Sequence, residues 1–263
     1  GSTLLSHALN EVDGVMSLAE PDAATQIVHL RRAGTLADAD LRDLIDCTVR
    51  LLFKPTPFNT ATTYAIKFRG MATQGMDVYQ AAFPQAKNVY LYRDVLGFVA
   101  SYARIFKAEG TPEIMPVDAF IGQFSYLFDP QFARMKAYLD ADATQVSSVQ
   151  MLTTWWLAIM EWYLAQRERG IEALPVRYDD LKTSPQAVLS QIFASCGLPL
   201  EQVANALKAF ERDSQAGTAL ARENPTQGNT LTFTDEQRGE IERILGRHAV
   251  QNADYVLPGT LRV

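Results

Sequence analysis

Apolar residues recur at helical spacing from the start of the chain. Leu4, Leu5, Ala8 and Leu9 follow Gly1-Ser2-Thr3 and predict a helix that stops near Asp13-Gly14. Val15-Met16-Ser17-Leu18 then reads as a short strand closed by Glu20-Pro21, and helices are predicted from Ala23 to Arg32 and from Asp38 to Phe53. Three brief β-branched or aromatic runs follow, Tyr64 to Phe68, Asn88 to Tyr92 and Leu174 to Tyr178. Each is flanked by helical pattern, which predicts parallel strands joined by helical crossovers. Ser184 and Pro185 suit the N-cap and first position of a helix whose inner face is Val188, Leu189, Ile192, Phe193 and Cys196 and which Gly197 ends. Thr234-Asp235-Glu236-Gln237 has the pattern of a capping box ahead of Ile241, Ile244 and Leu245.

From Lys107 to Gln150 no strand pattern is visible, and aromatics, Met and Pro mix with helical periodicity. A helical insertion over 107–170 is expected. It either covers the mouth of a site or forms a further packing layer. No internal repeat interrupts the chain, and no Gly/Ser or Pro-rich linker divides it, so one domain over 1–263 is expected, with C-terminal helices across 185–250.

Composition narrows the function classes. The 263 residues are 48% hydrophobic, enough for a large buried core. A formal charge of -6 and a pI near 5.2 argue against a nucleic-acid binder, which needs a clustered basic surface, but leave room for a local basic pocket. Cys47 and Cys196 both fall in amphipathic helical pattern, predicting buried free thiols, a reducing compartment and a cytoplasmic location. The most apolar window, Met151 to Ala165, is interrupted by Glu161 and is shorter than the roughly 20 residues of a spanning helix. A soluble chain with no membrane span is expected.

Three segments carry candidate chemistry. Gly1-Ser2-Thr3 sits at a helix N-terminus, where backbone N–H groups and two hydroxyls can surround a phosphate. It lacks the Gly-Lys-Ser/Thr of a nucleoside triphosphatase loop. Tyr90-Leu91-Tyr92-Arg93-Asp94 closes a strand, and Ser101 lies eight residues after Arg93 on the following helix. Arg93 offers a planar fork for phosphate oxygens that Ser101 can supplement, or it pairs with Asp94 or another carboxylate at the strand end. Pro175-Val176-Arg177-Tyr178-Asp179-Asp180-Leu181 reads as a strand ending in an aromatic and two carboxylates. There Tyr178 either stacks on a purine or is a half-buried strand-end aromatic.

Taken together, these residues resemble the sulfotransferase family dependent on 3′-phosphoadenosine-5′-phosphosulfate, over most of the chain. Gly1-Ser2-Thr3-Leu4-Leu5 is similar to that family's 5′-phosphosulfate loop, which a strand and a basic residue precede. Tyr-Leu-Tyr-Arg-Asp with Ser101 is similar to its 3′-phosphate motif. Pro175 to Pro199, with Arg-Tyr-Asp-Asp-Leu, a Ser-Pro-started helix and a closing Gly-Leu-Pro, is similar to its third block. The resemblance implies a three-layer α/β fold, an open parallel sheet flanked by helices and P-loop NTPase-like. It implies that Gly1, Ser2 and Thr3 contact the 5′-phosphosulfate, that Arg93 and Ser101 hold the 3′-phosphate, and that Tyr178 lies near the adenine. The late Arg-Lys-Gly element of the family's cytosolic branch is absent as such, and Arg222 is the candidate to replace it.

Sulfuryl transfer requires in-line alignment of acceptor oxygen, sulfur and leaving phosphate, and a base for the acceptor proton. The sulfuryl group carries less charge than a phosphoryl group, so no metal is expected. Glu20, ending the second predicted element, resembles the catalytic glutamate of the branch that uses carboxylate rather than histidine. The other reading is a Glu that caps the next helix or pairs with a nearby Lys or Arg, with Asp22 its closest rival. Lys67 and Arg69 end a strand where the cytosolic branch places its histidine. Lys67 is the candidate to stabilise the transferring group, and both are otherwise ordinary strand-end charges. His7, His29 and His248 are expected to be structural or surface residues.

The activity implied is sulfuryl transfer to a hydroxyl or amine of a small-molecule, glycan or lipid acceptor. The alternatives are a non-catalytic nucleotide-binding or regulatory module of the same fold and, further off, a P-loop kinase. Trp155, Trp156 and Trp162 are spaced as core residues of an apolar helix rather than as a sugar or lipid platform.

Overall fold

The computed structural model describes residues 1–57, 60–108, 110, 112–128, 137–213 and 232–263. The chain forms two compact units, one of Gly1–Tyr92, Ala165–Ser214 and Leu257–Val263, the other of Arg93–Leu164 and Gln215–Val256.

The first unit opens with helix α1 (Ser2–Asn10), strand β1 (Val15–Ala19), helices α2 (Asp22–Ala33) and α3 (Asp38–Leu52) and strand β2 (Thr63–Lys67). A 3-10 turn (Gly70–Gly75), helix α4 (Met76–Ala82) and strand β3 (Val89–Tyr92) follow. β1 and β2 pair in parallel with Ala19 opposite Lys67. β3 pairs in parallel with β4 (Leu174–Arg177), Tyr92 opposite Arg177. The predicted parallel strands and helical crossovers are therefore present, in a mixed α/β arrangement. Among the described residues their hydrogen bonds join them as two separate pairs rather than as one continuous sheet.

α1 is seated by its expected apolar face. Leu4, Leu5 and Ala8 are buried with Val176, Leu181, Val188, Leu189, Ile192 and Phe193. Polar groups add direction: the Asn10 amide donates to the Ser17 carbonyl at 3.0 Å and accepts from the Ser17 N–H at 2.6 Å, pairing with β1 as a neighbouring strand would. A second cluster joins Ile27 of α2, Leu41 and Ile45 of α3 and Val78 of α4.

Past β4 the chain enters α8 (Tyr178–Thr183) and α9 (Pro185–Cys196), which Gly197 ends at φ 69°. Tyr178 is therefore a first-turn helical residue and not the last of the strand, since Asp179 and Asp180 favour the N-terminal turn of a helix. Ser184 occupies the N-cap of α9, but its side chain makes no capping bond. The free thiols split: Cys196 is half-buried, whereas Cys47 is exposed, correcting the expected burial of both. On α3 the inward positions are Leu41 and Ile45, and a step of two from Ile45 turns Cys47 away from them.

In the second unit α5 (Val95–Ala108) leads to α6 (Val117–Phe128), α7 (Ser148–Glu168, whose last residues count with the first unit) and α11 (Asp235–Leu245). Helix α10 (Val203–Leu207) lies before α11 in the first unit. The capping box forms as expected, with the Gln237 N–H donating to Thr234 Oγ1 at 3.2 Å and the Thr234 N–H to Gln237 Oε1 at 3.0 Å. Between 107 and 150, however, there are two strands, β5 (Ile114–Pro116) and β6 (Gln145–Ser147), paired antiparallel. Three residues are too few to display alternation, and the partner lies far along the chain, so no local pattern announces the pair. Trp156 and Trp162 are buried, as their spacing predicts, whereas Trp155 is half-buried.

Candidate functional site

Glu20 follows directly on β1 and has φ 53°, the one non-glycine with positive φ among the described residues. That conformation is strained for a residue with a side chain and doubly so before a proline, which favours extended backbone. It is held by the Glu20 N–H, which donates to the Lys67 carbonyl at 2.7 Å. The turn sends the carboxylate back over the end of β2, where Oε1 accepts from Lys67 Nζ and Oε2 lies 3.3 Å from Arg69 Nε. Arg69 Nη2 also meets Asp22 at 2.9 Å. Lys67 is 13% exposed and Glu20 37%, so the carboxylate is the more accessible partner.

The structure thus brings Glu20, Lys67, Arg69 and Asp22 together in the first unit. Glu20 does not cap α2, whose N-cap is Pro21. Asp22 is engaged with Arg69 on the exposed side. His29 is held below the ordinary imidazole range by burial and by the charges of Arg32 and Arg69, so it is neutral at pH 7. His7 is exposed, and His248 lies 3.4 Å from Glu161 in the second unit.

Also in the first unit, the Tyr178 ring lies close against Gly1, the N-cap of α1. A Cβ built on Gly1 would fall 2.1 Å from Tyr178 Cδ2. Lys182, one turn on, approaches the ring at 5.8 Å from its centroid. Ser2 and Thr3 form the first turn of α1, whose N–H groups point toward the Gly1 end.

In the second unit Arg93 leaves β3 and α5 begins two residues later. The Arg93 carbonyl accepts from Trp156 Nε1 at 2.8 Å, which ties this corner to α7. Asp94 Oδ1 accepts from the Gly97 N–H at 2.8 Å, as an N-cap residue does. The Arg93 side chain runs over the first turn of α5, across Gly97, where an added Cβ would stand 2.3 Å from Arg93 Nε. Ser101 is one helical turn beyond Gly97 and so shares its face. Beside it Phe98, Tyr102 and Trp155 pack with ring centroids 4.6 to 5.6 Å apart.

Asp94 as a cap was readable from an Asp directly before an apolar helix. The space over Gly97 was not, since it depends on the path of another side chain. Arg222 lies outside the described residues.

A family model described as the sulfotransferase family matches residues 70–202 of this chain. Arg93, Gly97, Ser101 and Tyr178 fall within the matched span; Gly1, Ser2, Thr3, Glu20 and Lys67 precede it. No curated protein is similar enough to be matched.

Proposed function

Because the chain belongs to the sulfotransferase family, we propose that it transfers a sulfuryl group from 3′-phosphoadenosine-5′-phosphosulfate to a hydroxyl or amine acceptor. The family match carries this reading, because it spans the end of β3 with Arg93 just after it, α5 with Ser101 and α8 with Tyr178. The reading takes 1–263 as one sulfotransferase-like domain with a P-loop-like fold. The unbridged thiols, one of them exposed, support a reducing, cytoplasmic setting.

The residues fit such a donor. Two of the side chains that would meet it lie close against glycines, Arg93 over Gly97 and Tyr178 over Gly1. Arg93 and Ser101 hold the 3′-phosphate, an Arg fork supplemented by a hydroxyl. Gly1, Ser2 and Thr3 receive the 5′-phosphosulfate at the α1 N-terminus, with Tyr178 beside the adenine. Arg222 supplies a further cation. Glu20 accepts the acceptor's proton, while Lys67 carries its charge to the same point and stabilises the negative charge on the transferring group. The strain at Glu20 supports this role, because a residue held in a costly conformation by its neighbours is characteristic of functional positions.

Two substitutions test the reading by calorimetry and turnover. Arg93→Ala should weaken binding of 3′-phosphoadenosine-5′-phosphate strongly, toward that of the 5′-monophosphate. Glu20→Gln should leave that binding intact and lower turnover by about two to four orders of magnitude. Unchanged turnover in Glu20→Gln would return Glu20 to a structural ion pair with Lys67 and Arg69.

A further inference from the structure

A glycine three residues into α5 is a poor helix former, and nothing in the backbone there calls for one, since Gly97 is helical and not left-handed. Its surroundings supply the reason. A Cβ on Gly97 would stand 2.3 Å from Arg93 Nε, 3.0 Å from Arg93 Cδ and 2.9 Å from Asp94 Oδ2. None of these is a backbone atom, and the two Arg93 atoms belong to a long, flexible side chain. The empty space over Gly97 is therefore occupied by the one side chain of this corner that can recognise a phosphate in a planar fork. The same helical face carries Ser101 one turn on.

We propose that Gly97 is the positioning residue of the 3′-phosphate clamp. By lacking a side chain it lets the Arg93 guanidinium lie along the first turn of α5 toward Ser101, and so it sets the preference for a 3′-phosphorylated nucleotide over one without that group. The inference rests on the assignment of Arg93 and Ser101 to the 3′-phosphate and adds a determinant that touches no ligand itself. Two further groups hold the arrangement from behind. Asp94 Oδ1 is drawn to the Gly97 N–H, and the Arg93 carbonyl is fixed by Trp156, so a displaced guanidinium has no compensating movement of its own main chain. Any side chain at 97 must push Arg93 aside.

The test needs no acceptor. Calorimetry at fixed salt compares adenosine 3′,5′-bisphosphate with adenosine 5′-monophosphate for the wild type, Gly97→Ala, Arg93→Ala and the double variant. The wild type should prefer the bisphosphate, and Gly97→Ala should cut that preference about tenfold or more, with monophosphate affinity unchanged. Its melting temperature should hold or rise, since alanine favours the helix and the atoms it displaces belong chiefly to Arg93's mobile side chain. In the Arg93→Ala background the same Gly97→Ala change should have no effect on the preference, a coupling that a merely structural role would not produce. Gly97→Ser, which places the same Cβ with a different helix preference, should behave as Gly97→Ala does. An intact preference in either folded variant overturns the role of Gly97. Failure of both to fold overturns it too, because the displaced atoms would then not be those of Arg93's side chain. If Arg93→Ala leaves the wild-type preference untouched, or the wild type shows none, it is the nucleotide assignment itself that fails.

Discussion

At the scale of single residues, two side chains carry more than their sequence positions suggest. Glu20 combines a left-handed backbone with a carboxylate divided between Lys67 and Arg69. Glu20→Ala and Glu20→Gly both remove the carboxylate, so their difference isolates the backbone. The glycine variant should be the more stable by about 1 kcal/mol in thermal or urea unfolding, the reverse of the order in an ordinary extended segment. Asp77 is the second. Burial alone would raise its carboxyl, but hydrogen bonds and charge from Arg31, with the Val78 amide and Arg169, outweigh burial and hold it below the usual carboxylate range. A depressed folded value means that its stabilisation is complete above the unfolded carboxyl's titration near pH 4 and is lost as pH falls through the folded one. Asp77→Asn should therefore lower the melting temperature at pH 7, and the gap from the wild type should close as pH falls through the depressed folded value. Neither residue could be ranked from the sequence. Glu20 stood out there only through a family resemblance, and Asp77 not at all, because Arg31 lies on another helix.

At the scale of elements, the helix and strand patterns were legible wherever a segment buried one face locally. α1, α2, α3 and α9 begin and end within a residue or a few of where their apolar spacing and end signals put them. The capping box of α11 is a purely local device, and Thr234→Ala should cost about 1 kcal/mol, read as a lower melting temperature or faster hydrogen exchange in the first turn of α11. What escaped were features whose partner is distant. β5 pairs with β6 across a long stretch of chain, Cys47 is placed outward by the phase of α3, and Asn10 is used to grip Ser17 of β1. A three-residue strand has no period to read, and a polar side chain does not disclose in sequence which backbone it will pair with.

At the scale of the whole molecule, a net charge of -6 means that the proposed phosphate site must be built from local groups rather than from a basic surface. On that proposal, binding of 3′-phosphoadenosine-5′-phosphate should weaken as salt is raised from tens to hundreds of millimolar, more than binding of the monophosphate does, because the bisphosphate brings a second charged group to the site. By itself the sequence determined the mixed α/β class, most element boundaries and, through Arg93, Ser101 and the segment at Tyr178, the family, since these rest on short-range periodicity and on motifs carried in order along one chain. Only the tertiary structure decided that the Glu20 carboxylate meets Lys67 and Arg69, that Tyr178 lies against Gly1, and that the Arg93 side chain crosses Gly97. Each of those is a meeting of atoms on different turns or strands, and spacing along the chain records no such distance until the backbone has folded.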